Sequence, residues 1–207
     1  MRKLVVLSFV TLDGVMQAPG GPEEDTAGGF GYGGWTVPFF DDSAGKLIGE
    51  QMSMQFDLLL GRKTYEIFAS YWPNIKEDSP GNGEIASKFN KCNKYVASRT
   101  LQKLDWQHST LLKGDAAAEV KKLKEQDGPQ LQVHGSGNII QTLLKNDLVD
   151  ELWLKIFPIT LGGGKKLFAE GAVPSSFKLL WSTATGNGVI FANYAREGHG
   201  VKTGSFA

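Results

Sequence analysis

The sequence predicts one α/β domain whose mixed sheet carries helices on both faces. Strand-like and helix-like segments alternate through the first two thirds of the 207 residues, a pattern typical of βα units and a parallel sheet. Two strand-like runs near the C-terminus flank Asn187-Gly188, a dipeptide that favours a two-residue β-hairpin. The length suits a single domain, and no repeat or low-complexity linker divides it.

Each predicted element of the first half follows from local signals. Apolar runs predict strands, and Asp41-Asp42-Ser43 predicts a helix N-terminus because these side chains accept hydrogen bonds from free backbone amides. In order, we expect a strand at Leu4–Thr11 ending at the Asp13-Gly14 turn, a helix from Asp41 to about Gln55, a strand at Asp57–Leu60, a short helix at Thr64–Tyr71 closed by Trp72-Pro73, and a helix within Gly81–Asn93.

The second half continues in the same way and ends in an antiparallel pair. Asp115 predicts the start of a helix, and Gly128-Pro129 predicts its end. The expected elements are strands at Lys94–Ser98 and Ser109–Leu112, a helix at Ala116–Gln126, a strand at Leu131–Val133, a helix from Ile139 to about Lys145, a strand at Glu151–Thr160, and hairpin strands at Phe177–Thr183 and Val189–Ala195. We expect residues 1–197 to form the domain and residues 198–207 a frayed tail or a small arm.

The segment Pro19–Gly34 is rich in glycine and acidic residues and shows no periodicity. It is too long for an ordinary connection, which predicts a functional flap or a mobile loop. Its run Gly29-Phe30-Gly31-Tyr32-Gly33 is not a Rossmann fingerprint, because no strand precedes it and no helix follows it directly.

Composition excludes several classes of function. Acidic and basic residues balance at 22 each, so nothing favours nucleic acid or an acidic membrane as a partner. No segment is long and apolar enough to cross a bilayer, and the brief apolar run after Arg2-Lys3 lacks a signal-peptide cleavage site. The single Cys92 suits a reducing cytosol, and the three histidines lack the spacing of a metal site. We therefore expect a cytoplasmic protein without a metal.

The segment Gly61-Arg62-Lys63-Thr64 predicts an anion site. It follows the buried strand Leu58-Leu59-Leu60 and opens a helix, where free backbone amides attract anions and adjacent cations strengthen the attraction. A phosphate-bearing ligand is the natural occupant. The alternative is a strand-to-helix turn with solvated charges.

A second strand-to-helix opening, His134-Gly135-Ser136-Gly137-Asn138, has the same character. Small residues let a pyrophosphate approach the backbone, and a helix N-terminus favours its charge. Two such openings in one sheet can hold the phosphates of a dinucleotide. By itself the segment could equally be a tight turn.

Ser98-Arg99, within Ala97-Ser98-Arg99-Thr100, ends another predicted strand. Arginine binds phosphate through a fork of two N–H groups, so this segment suits the 2′-phosphate that distinguishes NADPH from NADH. The alternative is an exposed loop arginine.

Taken in order, these motifs resemble a known family. The resemblance is carried by Leu12-Asp13-Gly14, Gly61-Arg62-Lys63-Thr64, Ser98-Arg99, Gly135-Ser136-Gly137, and Asp150-Glu151-Leu152 leading into Pro158-Ile159-Thr160-Leu161-Gly162-Gly163-Gly164. The order of elements is similar to the dihydrofolate reductase-like fold, a three-layer α/β/α arrangement with a mixed, mainly parallel sheet. The last run, with Lys165-Lys166-Leu167-Phe168 after it, most closely resembles the reductase domain of bifunctional riboflavin-biosynthesis deaminase–reductases and its stand-alone relatives.

The resemblance implies NADPH at the carboxyl edge of the sheet and a homodimer. It also implies reduction of a small heterocyclic (pterin- or pyrimidine-like) or carbonyl-type substrate. The residues that it assigns to the cofactor are Trp35, Gly61, Arg62, Lys63, Thr64, Ser98, Arg99, Gly135, Ser136, Gly137, Asn138 and Ile139. A buried core aromatic is the alternative for Trp35.

The catalytic residues do not follow from the sequence. The riboflavin reductases carry a glutamate where this chain has His134, which puts the pyrimidine substrate in doubt. His134 could contact another substrate or give a proton, or could simply be buried and satisfied. Asp13 is the ionisable group expected nearest the nicotinamide, although an Asp-Gly turn residue is the alternative. Asp41, Asp42 and Glu50 do not match the first-helix carboxylate of folate reductases and read as cap or surface residues.

Three other functions stay open at this stage. The chain could be a true dihydrofolate reductase, a non-catalytic nucleotide-binding module on the same scaffold, or a scaffold whose glycine turns are only structural. Methotrexate binding would indicate the first, and NADPH binding without turnover the second. Failure to bind NADPH would indicate the third.

Overall fold

The computed structural model describes residues 1–168 and 172–206, with His199 described by its backbone alone. Within these residues the chain forms eight strands and five α-helices. In chain order they are β1 (Leu4–Thr11), α1 (Asp42–Ser53), β2 (Phe56–Gly61), α2 (Arg62–Tyr71), α3 (Gly83–Lys91), β3 (Lys94–Ala97), β4 (Ser109–Leu112), α4 (Ala116–Glu125), β5 (Gln130–Val133), α5 (Gly137–Lys145), β6 (Glu151–Phe157), β7 (Ser175–Ala184) and β8 (Ile190–His199).

All eight strands belong to one sheet in the order β4-β3-β2-β5-β1-β6-β8-β7. The first six in this order pair in parallel, whereas β8 is antiparallel to β6 and β7 is antiparallel to β8. The predicted mixed, mainly parallel sheet with a C-terminal antiparallel hairpin is therefore confirmed. Gly188 has a φ of 80° in the turn between β7 and β8, a backbone conformation that favours glycine.

Helices cover both faces of the sheet, as predicted. On one face α4 and α5 bury Val120, Leu123, Ile140 and Leu143 against the even-numbered residues of β1. On the other face α1, α2 and α3 contribute Met52, Tyr65 and Phe89 to a second cluster. A third cluster, aromatic and on the same side as α1, surrounds Phe157 at the carboxyl end of β6. Strands buried on both faces explain the uninterrupted apolar runs in the sequence.

The predicted helix caps are confirmed. The Asp41 carboxylate accepts a hydrogen bond from the Ala44 amide (2.8 Å), and the Asp115 carboxylate accepts one from the Ala118 amide (2.8 Å). Several predicted boundaries were wrong. Both α2 and α5 begin two residues earlier than expected, at Arg62 and Gly137, because each helix starts directly after its N-cap residue, Gly61 or Ser136. Strand β8 runs to His199, beyond the expected end at Ala195, because it stays paired with β7. Strand β6 stops at Phe157 because the following Pro158 has no N–H to donate to a ladder.

The segment Pro19–Gly34 contains turns and a short 3₁₀ segment at Ala27–Gly29. It is anchored at its base, where the Thr36 hydroxyl donates to the Pro19 carbonyl (2.7 Å). Its middle is tied to the loop after β6, because Lys165 Nζ lies 2.5 Å from the Asp25 carboxylate. No helix of the described residues combines the length and the apolar character needed to cross a membrane.

Candidate functional site

A crevice opens at the carboxyl edge of the sheet between β2 and β5. These strands are parallel neighbours, with Leu58 opposite Gln132. The helix that follows β2 packs on one face of the sheet, and the helix that follows β5 packs on the other. The helix N-termini therefore flank the crevice, which is the usual position of a ligand site in an open α/β sheet.

The two glycine openings meet in this crevice. The Gly61 amide donates to the Gly135 carbonyl (3.1 Å), the Thr64 amide donates to Ser136 Oγ (3.1 Å), and the hydroxyls of Thr64 and Ser136 lie 3.2 Å apart. A methyl group added at Gly61 would lie 2.8 Å from Ser136 Oγ, and one added at Gly135 would lie 2.5 Å from Thr64 Oγ1. Both positions need glycine because the two backbones approach so closely.

The helix N-termini at the crevice keep backbone donors for a ligand. Neither Gly61 nor Ser136, the N-cap residues of α2 and α5, gives its helix a side-chain hydrogen bond. The first-turn amides of a helix have no i−4 carbonyl to bond. Those of Thr64 and Ile139 are already bonded, to Ser136 Oγ (3.1 Å) and to the Ser136 carbonyl (3.0 Å), which leaves the amides of Arg62 and Lys63 in α2 and of Gly137 and Asn138 in α5 for a ligand. Asn138 is exposed beside them, whereas Ile139 points into the core and could meet a ligand only through its backbone.

Cations gather on the β3 side of the crevice. Arg62 Nη1 donates to Thr100 Oγ1 (3.3 Å), which joins the β2–α2 opening to the loop after β3. Arg62 and Lys63 each lie 3.9 Å from Glu66, and all three side chains are largely solvent-exposed, so these pairs are weak. The Ser98 hydroxyl accepts hydrogen bonds from the next turn, and Arg99 is exposed beside it. Three cations with little compensating charge suit a phosphorylated ligand.

Trp35 is buried in the aromatic cluster around Phe157. Its Nε1–H donates to the Gln17 carbonyl (2.7 Å), and its ring meets Phe157 edge to face at 5.2 Å. These contacts fix the start of α1 and the base of the flap.

Asp13 fastens the turn after β1 to the loop after β6. Its carboxylate accepts hydrogen bonds from the Thr11 hydroxyl (2.5 Å) and from the amides of Leu161 (3.2 Å) and Gly162 (2.8 Å). These hydrogen bonds, led by the one from Thr11, lower the pKa of Asp13 to about 2. The group is therefore ionised at neutral pH and has no proton to give.

His134 lies at the end of β5, packed between helices. Its ring centroid is 5.5 Å from that of Phe89 and 6.0 Å from that of Phe68, and its Nε2 is 3.3 Å from Gln132 Oε1. Burial, and secondarily the charge of Lys155, lower the pKa of His134 to about 3. The imidazole is consequently neutral at pH 7.

The first helix offers no acid to the crevice. Asp41 is the N-cap of α1, and its carboxylate already accepts a hydrogen bond from the Ala44 amide. Asp42 and Glu50 are exposed. The buried positions of α1 are Ala44, Gln51 and Met52, so none of its described carboxylates faces the sheet. The described residues also contain no cluster of three or more His, Cys, Asp or Glu side chains able to hold a metal ion.

The structure adds one residue that the sequence reading did not select. Lys155 lies in β6 on the face covered by α1 and is 3% exposed. The sequence does hold a sign of this residue, because a single lysine interrupts the apolar strand Leu152–Phe157. Side chains alternate between the two faces of a strand, so this lysine shares a face with Trp153 and Phe157.

Solved structures share this architecture. A putative riboflavin biosynthesis protein from Shewanella sp. PV-4 superposes with a TM-score of 0.65 at 23% identity, covering 94% of this chain and 99% of that one. A pyrimidine reductase-like protein from Corynebacterium diphtheriae gives 0.57 at 13% identity, covering 94% and 92%. A dihydrofolate reductase from Enterococcus faecalis, complexed with NADP(H), also gives 0.57 at 13% identity, covering 95% and 97%. The protein is thus an α/β domain of the dihydrofolate reductase-like fold.

The family can be stated as well. The family model of the RibD C-terminal domain matches residues 2–191, so the chain belongs to this reductase-like family. Two relatives from Bacillus subtilis (strain 168) are uncharacterized proteins. YyaP is 27% identical over 197 residues, which cover 95% of this chain and 96% of YyaP. YwjB is 23% identical over 193 residues, which cover 91% and 95%.

Proposed function

We propose that the protein is an NADPH-dependent reductase of a small heterocyclic (pterin- or pyrimidine-like) or carbonyl-type substrate. The observation that carries this proposal is the crevice between β2 and β5, where two helix N-termini without a side-chain cap from their own N-cap residues and two close-packed glycines face each other. A pyrophosphate would be bound by the first-turn amides of α2 and α5. The reducing cytosol, which suits the single Cys92, is the compartment that we propose.

The chain's own residues would bind and orient the cofactor. Gly61 to Thr64 would hold phosphate and ribose, Gly135 to Ile139 the pyrophosphate, and Ser98 with Arg99 the 2′-phosphate. Bound NADPH would supply hydride, and the protein would hold the ring against the substrate and exclude water. The anchored flap Pro19–Gly34 would form part of that enclosure.

Arg99→Ala is expected to weaken NADPH binding by about 10- to 100-fold and to leave NADH binding unchanged, since a charge-assisted hydrogen bond to phosphate contributes about 1.5–3 kcal/mol. Thermal shift titration with both nucleotides measures this difference. Lys121→Ala, which removes an exposed cation from α4, is the control and should change neither affinity. No shift of the wild-type protein with either nucleotide would refute the reductase proposal.

The two alternatives are separable from this proposal. A true dihydrofolate reductase is disfavoured because the described residues of α1 bury no carboxylate. A methotrexate titration tests that alternative directly. NADPH binding without turnover of any pterin, pyrimidine or carbonyl probe would instead indicate a non-catalytic nucleotide-binding module.

We also propose a homodimer formed through the edge strand β7. Among the described residues β7 is an edge strand of the sheet, and its Leu179, Leu180 and Trp181 side chains are exposed. An open edge strand carrying large apolar side chains readily pairs with another chain. A second copy of the same chain is the simplest partner, because an isologous contact repeats one patch on both protomers.

Leu180→Glu is expected to convert the dimer into a monomer, because the introduced charge would be buried unpaired at the interface. Light scattering coupled to gel filtration gives the mass directly. Thr110→Glu, a charge placed on the opposite edge strand β4, is the control and should leave the dimer intact. A monomeric wild-type protein at high micromolar concentration would contradict the proposal.

A further inference from the structure

Lys155 is a buried cation in an aromatic setting. In β6 it lies opposite Phe9 of β1 and Phe191 of β8. Its Nζ is 5.7 Å from the Phe9 ring centroid and 5.9 Å from that of Phe191. The contacts with ring faces are favourable to a cation but do not replace the hydrogen bonds that an ammonium loses on leaving water.

Within the described residues the ammonium of Lys155 makes no hydrogen bond and no ion pair. Other buried cations of this chain are paired. Arg2 binds the Asp57 carboxylate, Lys94 donates to three backbone carbonyls at 2.8–3.0 Å, and Lys124 binds Asp150 at 2.6 Å. Water or a bound molecule must therefore supply the hydrogen-bond acceptors of the Lys155 ammonium, which makes this group a candidate ligand contact.

The groups around Lys155 leave it uncompensated. On its own strand Glu151 is engaged by the Trp153 indole (2.9 Å) and by Lys3 (2.7 Å). Helix α1, which packs on the same face of the sheet, contributes Gln51. Its Nε2 donates to Asn193 of β8 (3.2 Å), and its buried Oε1 has no partner among the described residues.

Among the described residues no carboxylate acts on Lys155, whose pKa is shifted by burial alone. Asp41, at the start of α1, is occupied by the amides of Ala44 and Asn187. The neutral His134 lies on the same face, at the end of β5.

Lys155 lies close enough to the crevice for its charge to contribute to lowering the pKa of His134. Strand β1 separates β6 from β5, and its Val6 pairs with Val133 while its Phe9 pairs with Lys155. Lys155 is thus two strands across from Val133 and three residues further toward the carboxyl edge, or roughly 14 Å away. A substrate bound at that edge would have to extend across Phe9 to reach Nζ.

We propose that Lys155 is the substrate-facing catalytic residue, whose ammonium contacts the oxygen or nitrogen of the C=O or C=N group being reduced and donates the proton to it. This inference rests on the proposed reductase function. As hydride from the nicotinamide forms the new C–H bond, the π electron pair of C=O or C=N moves to the heteroatom. A Lys155 N–H bond breaks, an O–H or N–H bond forms on the product, and solvent then reprotonates the neutral amine.

The other ionisable groups near the crevice are poorly suited to this step. Asp13, with a pKa of about 2, is already ionised, and His134, with a pKa of about 3, is already neutral. Burial lowers the pKa of Lys155 from 10.5 to about 7, so it both holds and releases a proton near neutral pH. A proton donor is most effective when its pKa lies near the working pH.

Reductive trapping with pyridoxal, a small heterocyclic aldehyde, tests the contact without turnover. At pH 7 the protein is treated with pyridoxal and cyanoborohydride, and the modified lysines are mapped by mass spectrometry. A lysine of ordinary pKa is neutral in about one molecule in 3,000 at this pH, so we expect Lys155 to react at least about 100-fold faster than exposed Lys46. Modification of Lys46 but not of Lys155 would overturn the inference.

Turnover tests the proton donation. NADPH oxidation is followed with pyridoxal, methylglyoxal and 7,8-dihydrofolate as probes. Lys155→Met is expected to lower kcat by about 100-fold or more, and the wild-type kcat should fall as the pH rises through about 7, because the donor must be protonated. A Lys155→Met protein with the wild-type rate, or wild-type protein that reduces none of the three probes, would overturn the proton-donor role.

Two controls separate this inference from the proposed function. Lys46→Met, at an exposed position of α1, should leave kcat unchanged. Lys155→Met should retain the thermal shift given by NADPH, which shows that it folds and keeps the cofactor site. If the wild-type protein shows no such shift, the proposed function fails while the trapping result still reports on Lys155.

Discussion

Gly135→Ala is expected to abolish NADPH binding and to lower the free energy of unfolding by about 2–4 kcal/mol. Gly135 has a φ of 150°, a conformation that residues with a side chain rarely adopt. An added methyl group would also lie 2.5 Å from Thr64 Oγ1 and would force apart the two openings that form the crevice. Urea denaturation gives the stability, and isothermal calorimetry with NADPH gives the affinity.

Gly49→Ala is the matched control for Gly135→Ala. Gly49 lies within α1, where an added methyl group would meet no atom within 4 Å. Alanine there should raise the stability by about 0.5–1 kcal/mol, because glycine loses more backbone entropy in a helix. Wild-type NADPH affinity in Gly135→Ala would show that the close approach of Gly135 and Thr64 is not part of the cofactor site.

Lys155→Met is expected to stabilise the domain while it removes activity. Burial lowers the pKa of Lys155 to about 7, against 10.5 in the unfolded chain. Each pKa unit corresponds to about 1.4 kcal/mol, so the buried charge costs roughly 3–5 kcal/mol. Methionine fills a similar volume without charge, and we expect the Tm to rise by roughly 5–15 °C below pH 7.

The gain in Tm should depend on pH with a definite sign. Below pH 7 Lys155 is protonated in both states, and the folded wild-type protein bears the full cost. Between pH 7 and 10.5 the unfolded state binds the extra proton, so the stability of the wild-type protein rises with pH relative to Lys155→Met. Thermal denaturation at pH 6 and pH 9 should therefore show a larger difference at pH 6.

Lys94→Met is the matched control for Lys155→Met. Lys94 is also fully buried, but its Nζ donates to the carbonyls of Asn90, Cys92 and Gln107. Methionine would leave those acceptors unpaired, so this variant should be less stable than wild type. A Lys155→Met protein that loses stability to a similar extent would show that Lys155 has a structural partner.

Much of the fold was predictable because local signals and the tertiary structure agree. Strands such as Leu4–Thr11 are mostly apolar and carry no charge. Asp41 and Asp115 mark helix starts because their side chains bond amides within one turn, and Asn187-Gly188 marks the hairpin. The two glycine openings were recognisable for the same reason. A glycine placed between an apolar run and a helix marks a tight strand-to-helix turn, and that signal lies within a few residues.

The boundaries were less predictable where a neighbouring element decides them. Gly137 reads as part of a turn in the sequence but starts α5. Strand β6 ends at Phe157, directly before Pro158, although the expected strand continues to Thr160. The predicted division at residues 197 and 198 remains a prediction, and Ala207 lies outside the described residues.

The sequence by itself determined the α/β class, the order of elements and the two glycine openings, because these depend on periodicity and on steric demands within a few residues. Only the tertiary structure decided what those residues face. It brought Gly61 and Ser136 together from positions 75 residues apart, secured Asp13 to the loop after β6, and buried Lys155 without a partner. Burial and long-range contacts set the charge state of a side chain, and neither is encoded in its immediate neighbours.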